Sequence, residues 1–110
     1  MPDTPADKYA DLRRLLEHTV RAGEASTPPA DRELAFQRPE GLGGARGRYC
    51  AQVARDANGV TDADVAALRG EGLGDVEIFE LTAAAAVGQG SRQLTAALAA
   101  LAESERRETS

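Results

Sequence analysis

Tyr9, Leu12, Leu15, Leu16 and Val20 follow one another at intervals of three and four residues, the spacing that lines one side of an α-helix. Thr4-Pro5 sets a hydroxyl at the N-cap and proline at the first helical position, and Gly23 offers a stop, so the pattern predicts a helix over residues 5–22. Residues 24–45 break the rhythm with prolines and glycines. Thr27-Pro28 predicts the cap of a short helix through Leu34 and Phe36 that ends before Pro39, and Gly41 to Gly47 reads as a flexible connection. A third helix is expected over about 46–57, with Tyr49, Cys50, Val53, Ala54 and Ala57 on its buried seam and Asn58-Gly59 as the break.

The stretch VTDADVAALRGEG carries the clearest local signal. Thr61 is an N-cap, Asp64 follows three residues later as an aspartate version of the capping box, and Asp62 and Asp64 complement the positive helix end. Val65 and Leu68 are expected to face inward, with Gly70 and Gly72 as the stop. Gly74 or Asp75 then caps a segment in which Ile78, Phe79, Leu81, Ala83 through Ala86 and Val87 cover nearly the whole circumference, a pattern expected of a helix buried on most sides. Gly88 and Gly90 each weaken a helix by about 1 kcal/mol relative to alanine, which predicts a bend or a close backbone approach. A last helix over roughly 91–103 shows Leu94, Ala97, Leu98 and Leu101 on one side. The charged tail, residues 104–110, is expected to fray, as are residues 1–4. With no alternating strand pattern or hairpin turn, the chain reads as all-α, one domain of about five helices.

Composition narrows the partners. The 110 residues suit one domain with one modest core, and aromatic residues make up only 4% with no Trp, so Ala, Leu and Val must fill it. A formal net charge of −5 argues against nucleic acid; the basic pairs Arg13-Arg14 and Arg46-Arg48 lack flanking aromatics and read as solvated helix arginines. A single cysteine excludes an intramolecular disulfide. No apolar run suits a leader or approaches the roughly 20 residues of a membrane span, so the expectation is a soluble, cytoplasmic protein with no membrane association.

From Val60 to Leu101 the chain resembles the alkylhydroperoxidase-D-like, or carboxymuconolactone decarboxylase, family. The residues that carry the likeness are Thr61-Asp62-Ala63-Asp64, Gly72-Leu73-Gly74-Asp75 and Ile78-Phe79-Glu80-Leu81-Thr82, and it covers residues 46–102. The resemblance implies an all-helical fold assembled as trimers or hexamers. For peroxidase-type members it also implies a Cys-x-x-Cys pair with a histidine four residues beyond the second cysteine. Those places fall here on Gly44, Gly47 and Ala51, none of which supplies a thiolate or an imidazole, and Cys50 matches neither cysteine. The serine that commonly opens the long helix in the family is Gly74 here, a change worth only a few tenths of a kcal/mol.

Several residues are candidates for chemistry. Cys50 reads either as a redox thiol, favoured by Arg46, Arg48 and the start of its helix, or as a small buried thiol. His18, the only histidine, lies off the apolar stripe with no second ligand at metal spacing, so it reads as a solvated helix residue and no metal is expected. Glu77 reads as a cap partner for the Gly74 amide. Glu80, expected to face the alanine-rich bend, reads either as a catalytic carboxylate or as a salt-bridge partner of Arg69 or Arg92. The glycines form no nucleotide loop, and no cofactor is implied. Phe79, Ala83, Ala86, Val87, Gly88 and Gly90 are expected to line a subunit interface or an apolar pocket.

The function expected from these residues is that of a non-catalytic oligomeric or partner-binding member of the resembled family, accompanying a partner enzyme. The alternatives are a thiol-dependent peroxidase-type or decarboxylase-type enzyme using Cys50 or Glu80, and a small apolar ligand-binding module.

Overall fold

A computed structural model describes residues 5–109, with side chains described for residues 8–108. It contains five α-helices and, among the described residues, no strand: α1 Pro5–Ala22, α2 Pro29–Gln37, α3 Gly44–Asp56, α4 Asp62–Gly70 and α5 Asp75–Thr109. Short 3-10 turns at Pro39–Leu42 and Ala57–Gly59 join α2 to α3 and α3 to α4. The all-α expectation holds; the Thr4 cap and residues 1–4 lie outside the described residues.

Local signals set the middle of the chain. The Thr61 hydroxyl accepts from the Asp64 amide at 3.2 Å while the Asp64 carboxylate accepts from the Thr61 amide at 2.9 Å. That reciprocal pair satisfies two amides that the first turn of α4 would otherwise leave open. At the other end Gly72 takes a φ of 94°, and Leu73 and Gly72 donate to the carbonyls of Leu68 and Arg69. This is a Schellman closure, and it brings Leu73 back onto Leu68, both buried. Gly74 then precedes α5, and its amide donates to the Glu77 carboxylate at 3.0 Å, the cap role expected of Glu77.

The longest departure from the sequence pattern is α5. Gly88 and Gly90 do not end it: one helix of 35 residues runs through both and through the charged segment expected to fray. Gly88 is instead the point where α5 meets α2. A Cβ on Gly88 would lie 2.0 Å from the Phe36 carbonyl oxygen, so only glycine admits this crossing. Gly90 has open space around it.

Around that crossing Ala35 and Phe36 of α2, Tyr49, Cys50 and Val53 of α3, and Ile78, Leu81, Ala84 and Ala85 of α5 form the core, with Leu68 and Leu73 closing one end. The seam expected on α3 is shorter than its pattern suggested: Ala54 is half-buried, and Ala57 is exposed in the following turn. Residues 24–45 are built rather than loose, since α2, the 3-10 turn and the first two residues of α3 fall within them. Glu71 anchors the start of α3, accepting from the Ala45 amide at 3.3 Å and pairing with Arg46 at 3.2 Å. A carboxylate at a helix N-terminus is also favoured by the backbone dipole. Thr27 does not cap α2; Pro28 occupies that position and Thr27 is turned elsewhere.

α1 lies antiparallel along the second half of α5. Arg13 donates to the Ser91 carbonyl at 2.9 Å, the Ser91 hydroxyl at 2.6 Å and the Thr95 hydroxyl at 2.7 Å. Ser91 in turn donates to Glu17 at 2.8 Å, and Arg13 pairs with Glu17 at 3.0 Å. The Ser91 hydroxyl bond, acting against the effect of burial and helped by Arg13, holds the Glu17 carboxyl below its ordinary range.

Candidate functional site

Glu80 sits on the half-buried side of α5, where its carboxylate grips the loop between α1 and α2. It accepts from the Ser26 amide at 2.9 Å, the Thr27 amide at 2.8 Å and the Thr27 hydroxyl at 2.9 Å. Neither partner expected for Glu80 is used: Arg69 pairs with Asp75 at 2.7 Å, and Arg92 donates to the carbonyls of Phe36 and Gln37. Glu80 faces this loop rather than the alanine-rich stretch of α5.

Burial by itself would raise the Glu80 carboxyl. The two amides, the Thr27 hydroxyl and the charge of Arg32 outweigh it and hold the group below its ordinary value. A depressed folded-state pKa means that Glu80 contributes stability above its unfolded value, about 4.3, and that this contribution is lost as pH falls through the lower folded value. Glu80→Ala is expected to cost about 1–3 kcal/mol, because buried Thr27 keeps unsatisfied groups. Glu80→Gln is expected to flatten the acid side of the stability curve, read from urea midpoints between pH 3 and 7; an unchanged curve would show that the carboxylate carries no charge-dependent bond.

Cys50 is fully buried, its sulfur 4.0 Å from the Leu81 carbonyl. Burial pushes the thiol up to about 12, the reverse of the shift a reactive thiolate needs. The arginines expected to lower it are engaged or turned away: Arg46 pairs with Asp31 and Glu71, and Arg48 is exposed. Gly44, Gly47 and Ala51 share the other face of α3. They line an open polar groove of about 470 Å³ with Glu40, Arg48 and Arg55, and Cys50 is not in its wall. His18 is exposed on α1. Among the described residues no group of three His, Cys, Asp or Glu side chains gathers to hold a metal.

Comparison with protein-family models, with curated proteins and with solved structures found no match to this chain. The likeness drawn from Thr61 to Thr82 therefore stands on those residues alone.

The residues expected at an interface divide between two sides of α5. Gly88 is buried against α2, and Ala83 and Val87 are half-buried. Ala86 and Gly90 are exposed, and Phe79 is 71% exposed. Within one chain α5 is covered only on the side that carries Ile78, Leu81, Ala84, Ala85 and Gly88. Val76, Phe79, Ala86, Gly90, Leu94, Leu98 and Leu101 remain on the open side.

The α1 stripe is the feature that the pattern hid. Tyr9 is 70% exposed, Leu12, Leu15 and Leu16 are all more than half exposed, and only Val20 packs against the core. Leu16 and Leu94 face each other across a groove of about 300 Å³, with Val87 and Gly90 along it and the Arg13–Glu17–Ser91 cluster in its wall. The same heptad-like spacing serves an inner or an outer face, so the pattern held no signal for this exposure. No helix among the described residues is long and apolar enough to cross a membrane.

Proposed function

We propose that this chain is a non-catalytic helical protein that works by association, as an oligomer or partner-binding subunit of the kind its likeness to the carboxymuconolactone decarboxylase-like family suggests. The observation that carries this reading is the apolar face left open by α1 and α5, from Tyr9, Leu12, Leu15 and Leu16 to Leu94, Leu98 and Leu101. Scattered surface leucines need no explanation, but contiguous patches beyond a few hundred Å² mark association surfaces. The chemistry of the candidate residues points the same way. Cys50 is sealed in the core, Glu80 is held by the α1–α2 loop, and Gly44, Gly47 and Ala51 bring neither thiol nor imidazole to a groove otherwise lined by Glu40, Arg48, Arg55 and Asp64.

Light scattering of the purified chain between 1 and 100 µM tests the reading. The expected mass exceeds the 11.5 kDa of one chain. A mass of one chain throughout that range would remove the oligomeric reading.

A further inference from the structure

The association reading names a surface without naming what covers it, and the composition of that surface is informative. From Leu94 to Ala102, LTAALAALA, Thr95 is the only polar residue, and all but Ala102 are exposed. α1 shields one flank of this segment through Arg13. A helix apolar on every side is a buried helix, so a second protein surface belongs on the open flank. Two grooves run between the helices: Leu16 meets Leu94, Val87 and Gly90 in one, and Tyr9 meets Leu94 and Leu98 in the other, so α1 and α5 share an apolar seam.

We propose that a second copy of this chain covers that face, the two α1–α5 hairpins stacking about a two-fold axis to make a four-helix layer. The proposal rests on the association reading and commits it to one occupant.

Two properties of the face favour a copy over a different protein. The first is charge. In a two-fold interface a patch meets itself, so its charges must be either matched within the patch or absent. The large side chains of this face, Tyr9, Leu12, Leu16, Leu94, Leu98 and Leu101, are uncharged, and Arg14, which borders Tyr9, Leu94 and Leu98, is paired with Asp11 on its own helix. The charges at its floor, Arg13 and Glu17, are already joined to each other, to Ser91 and to Thr95. These charges are already matched within one chain, so a second copy can cover the face without leaving a buried charge unpaired.

The second property is area. The six large apolar side chains of the face, at 45% to 70% exposure, present on the order of 600 Å², against about 800 Å² per partner in an ordinary specific interface. Gly90 and Ala97 add no bulk, so two such layers can approach at the short end of the usual 8–10 Å helix spacing.

Sedimentation equilibrium of the full chain from 1 to 100 µM, with Leu16→Glu/Leu94→Glu and Phe79→Glu beside it, tests the proposal. The wild type is expected at twice the 11.5 kDa chain mass. The double variant, altered at two side chains already exposed in the single chain, is expected at one chain mass with its helical circular dichroism unchanged. Phe79→Glu, on the open side of α5 but 15 residues before Leu94 and outside both α1–α5 grooves, is expected to stay a dimer. A wild-type multimer that the double variant leaves intact, or one that only Phe79→Glu breaks, overturns the hairpin pair and leaves the association reading standing. A three-chain mass overturns the two-fold pair. A wild type that is monomeric throughout overturns the pair and the oligomeric reading together. If the double variant loses its helicity, a disulfide test in a Cys50→Ala background decides instead. Leu98→Cys, within the apolar face, is expected to cross-link two chains on mild oxidation, and absence of the cross-link overturns the pair.

Discussion

Gly88→Ala is expected to lower the thermal midpoint by about 15 °C, corresponding to an overpacking cost of about 3 kcal/mol in a domain of this size. The added Cβ would stand 2.0 Å from the Phe36 carbonyl oxygen, 2.7 Å from its carbon and 2.8 Å from its Cα. All three are backbone atoms of α2, so no rotamer change relieves the clash. Only separation of α2 from α5 does, and that opens the contact that keeps Ala35, Ala84 and Ala85 wholly buried. Gly90→Ala is the control. It meets nothing within 4 Å, and the gain in helix propensity is expected to stabilise the chain by up to about 1 kcal/mol. Thermal unfolding followed by circular dichroism at one fixed low micromolar concentration reads both. Similar midpoints for the two variants would show that the α2–α5 crossing is not as close as described.

Cys50 is expected to react with a neutral disulfide reagent at pH 8 at least about a thousandfold more slowly in the native chain than in the unfolded one. The displacement of its pKa from 9.0 to about 12 makes the thiolate scarcer by that order. Enclosure of the sulfur adds to the effect, because the side chain is fully buried and a reagent must wait for local opening. Stopped-flow thiol titration with and without denaturant gives the ratio. Rapid native labelling, or oxidation by peroxide at a comparable rate, would return Cys50 to the list of catalytic candidates and set aside the non-catalytic reading.

Glu80 shows why a polar residue on an apolar helix is hard to assign from its neighbours alone. Its partners, Ser26 and Thr27, lie more than 50 residues away in the chain. The two arginines nearest in sequence were the natural expectation, yet Arg69 and Arg92 are each occupied elsewhere. Arg32 is a parallel case. It is 3% exposed, its Nη1 reaches the Val20 carbonyl at 3.5 Å, and its charge helps to hold Glu80 ionised, although nothing in PADRELAFQ marks it as buried. Beside it, Arg21 lies 4.6 Å over the Phe36 ring while pairing with Glu33. The α1–α2–α5 junction is thus held by charged groups that pair across the fold.

Local grammar alone determined the helical class, the limits of α1, the Thr61–Asp64 box, the Gly72 stop and the Glu77 cap. Each depends on contacts within about one turn, and such contacts are written in consecutive residues. Three matters waited for the tertiary structure. A glycine pair in a helix pattern says that side chains are missing, but only the position of α2 decided that Gly88 admits a backbone while Gly90 faces open space. Periodicity showed that α1 has an apolar stripe, but the same stripe serves an inner or an outer face, and only packing decided that Tyr9 to Leu16 stand open. Cys50 and Ala51 are adjacent in sequence, yet a helix turns neighbouring residues about 100° apart, which sends one into the core and the other to the groove. In each case the deciding neighbour comes from a distant part of the chain, where no local pattern reaches.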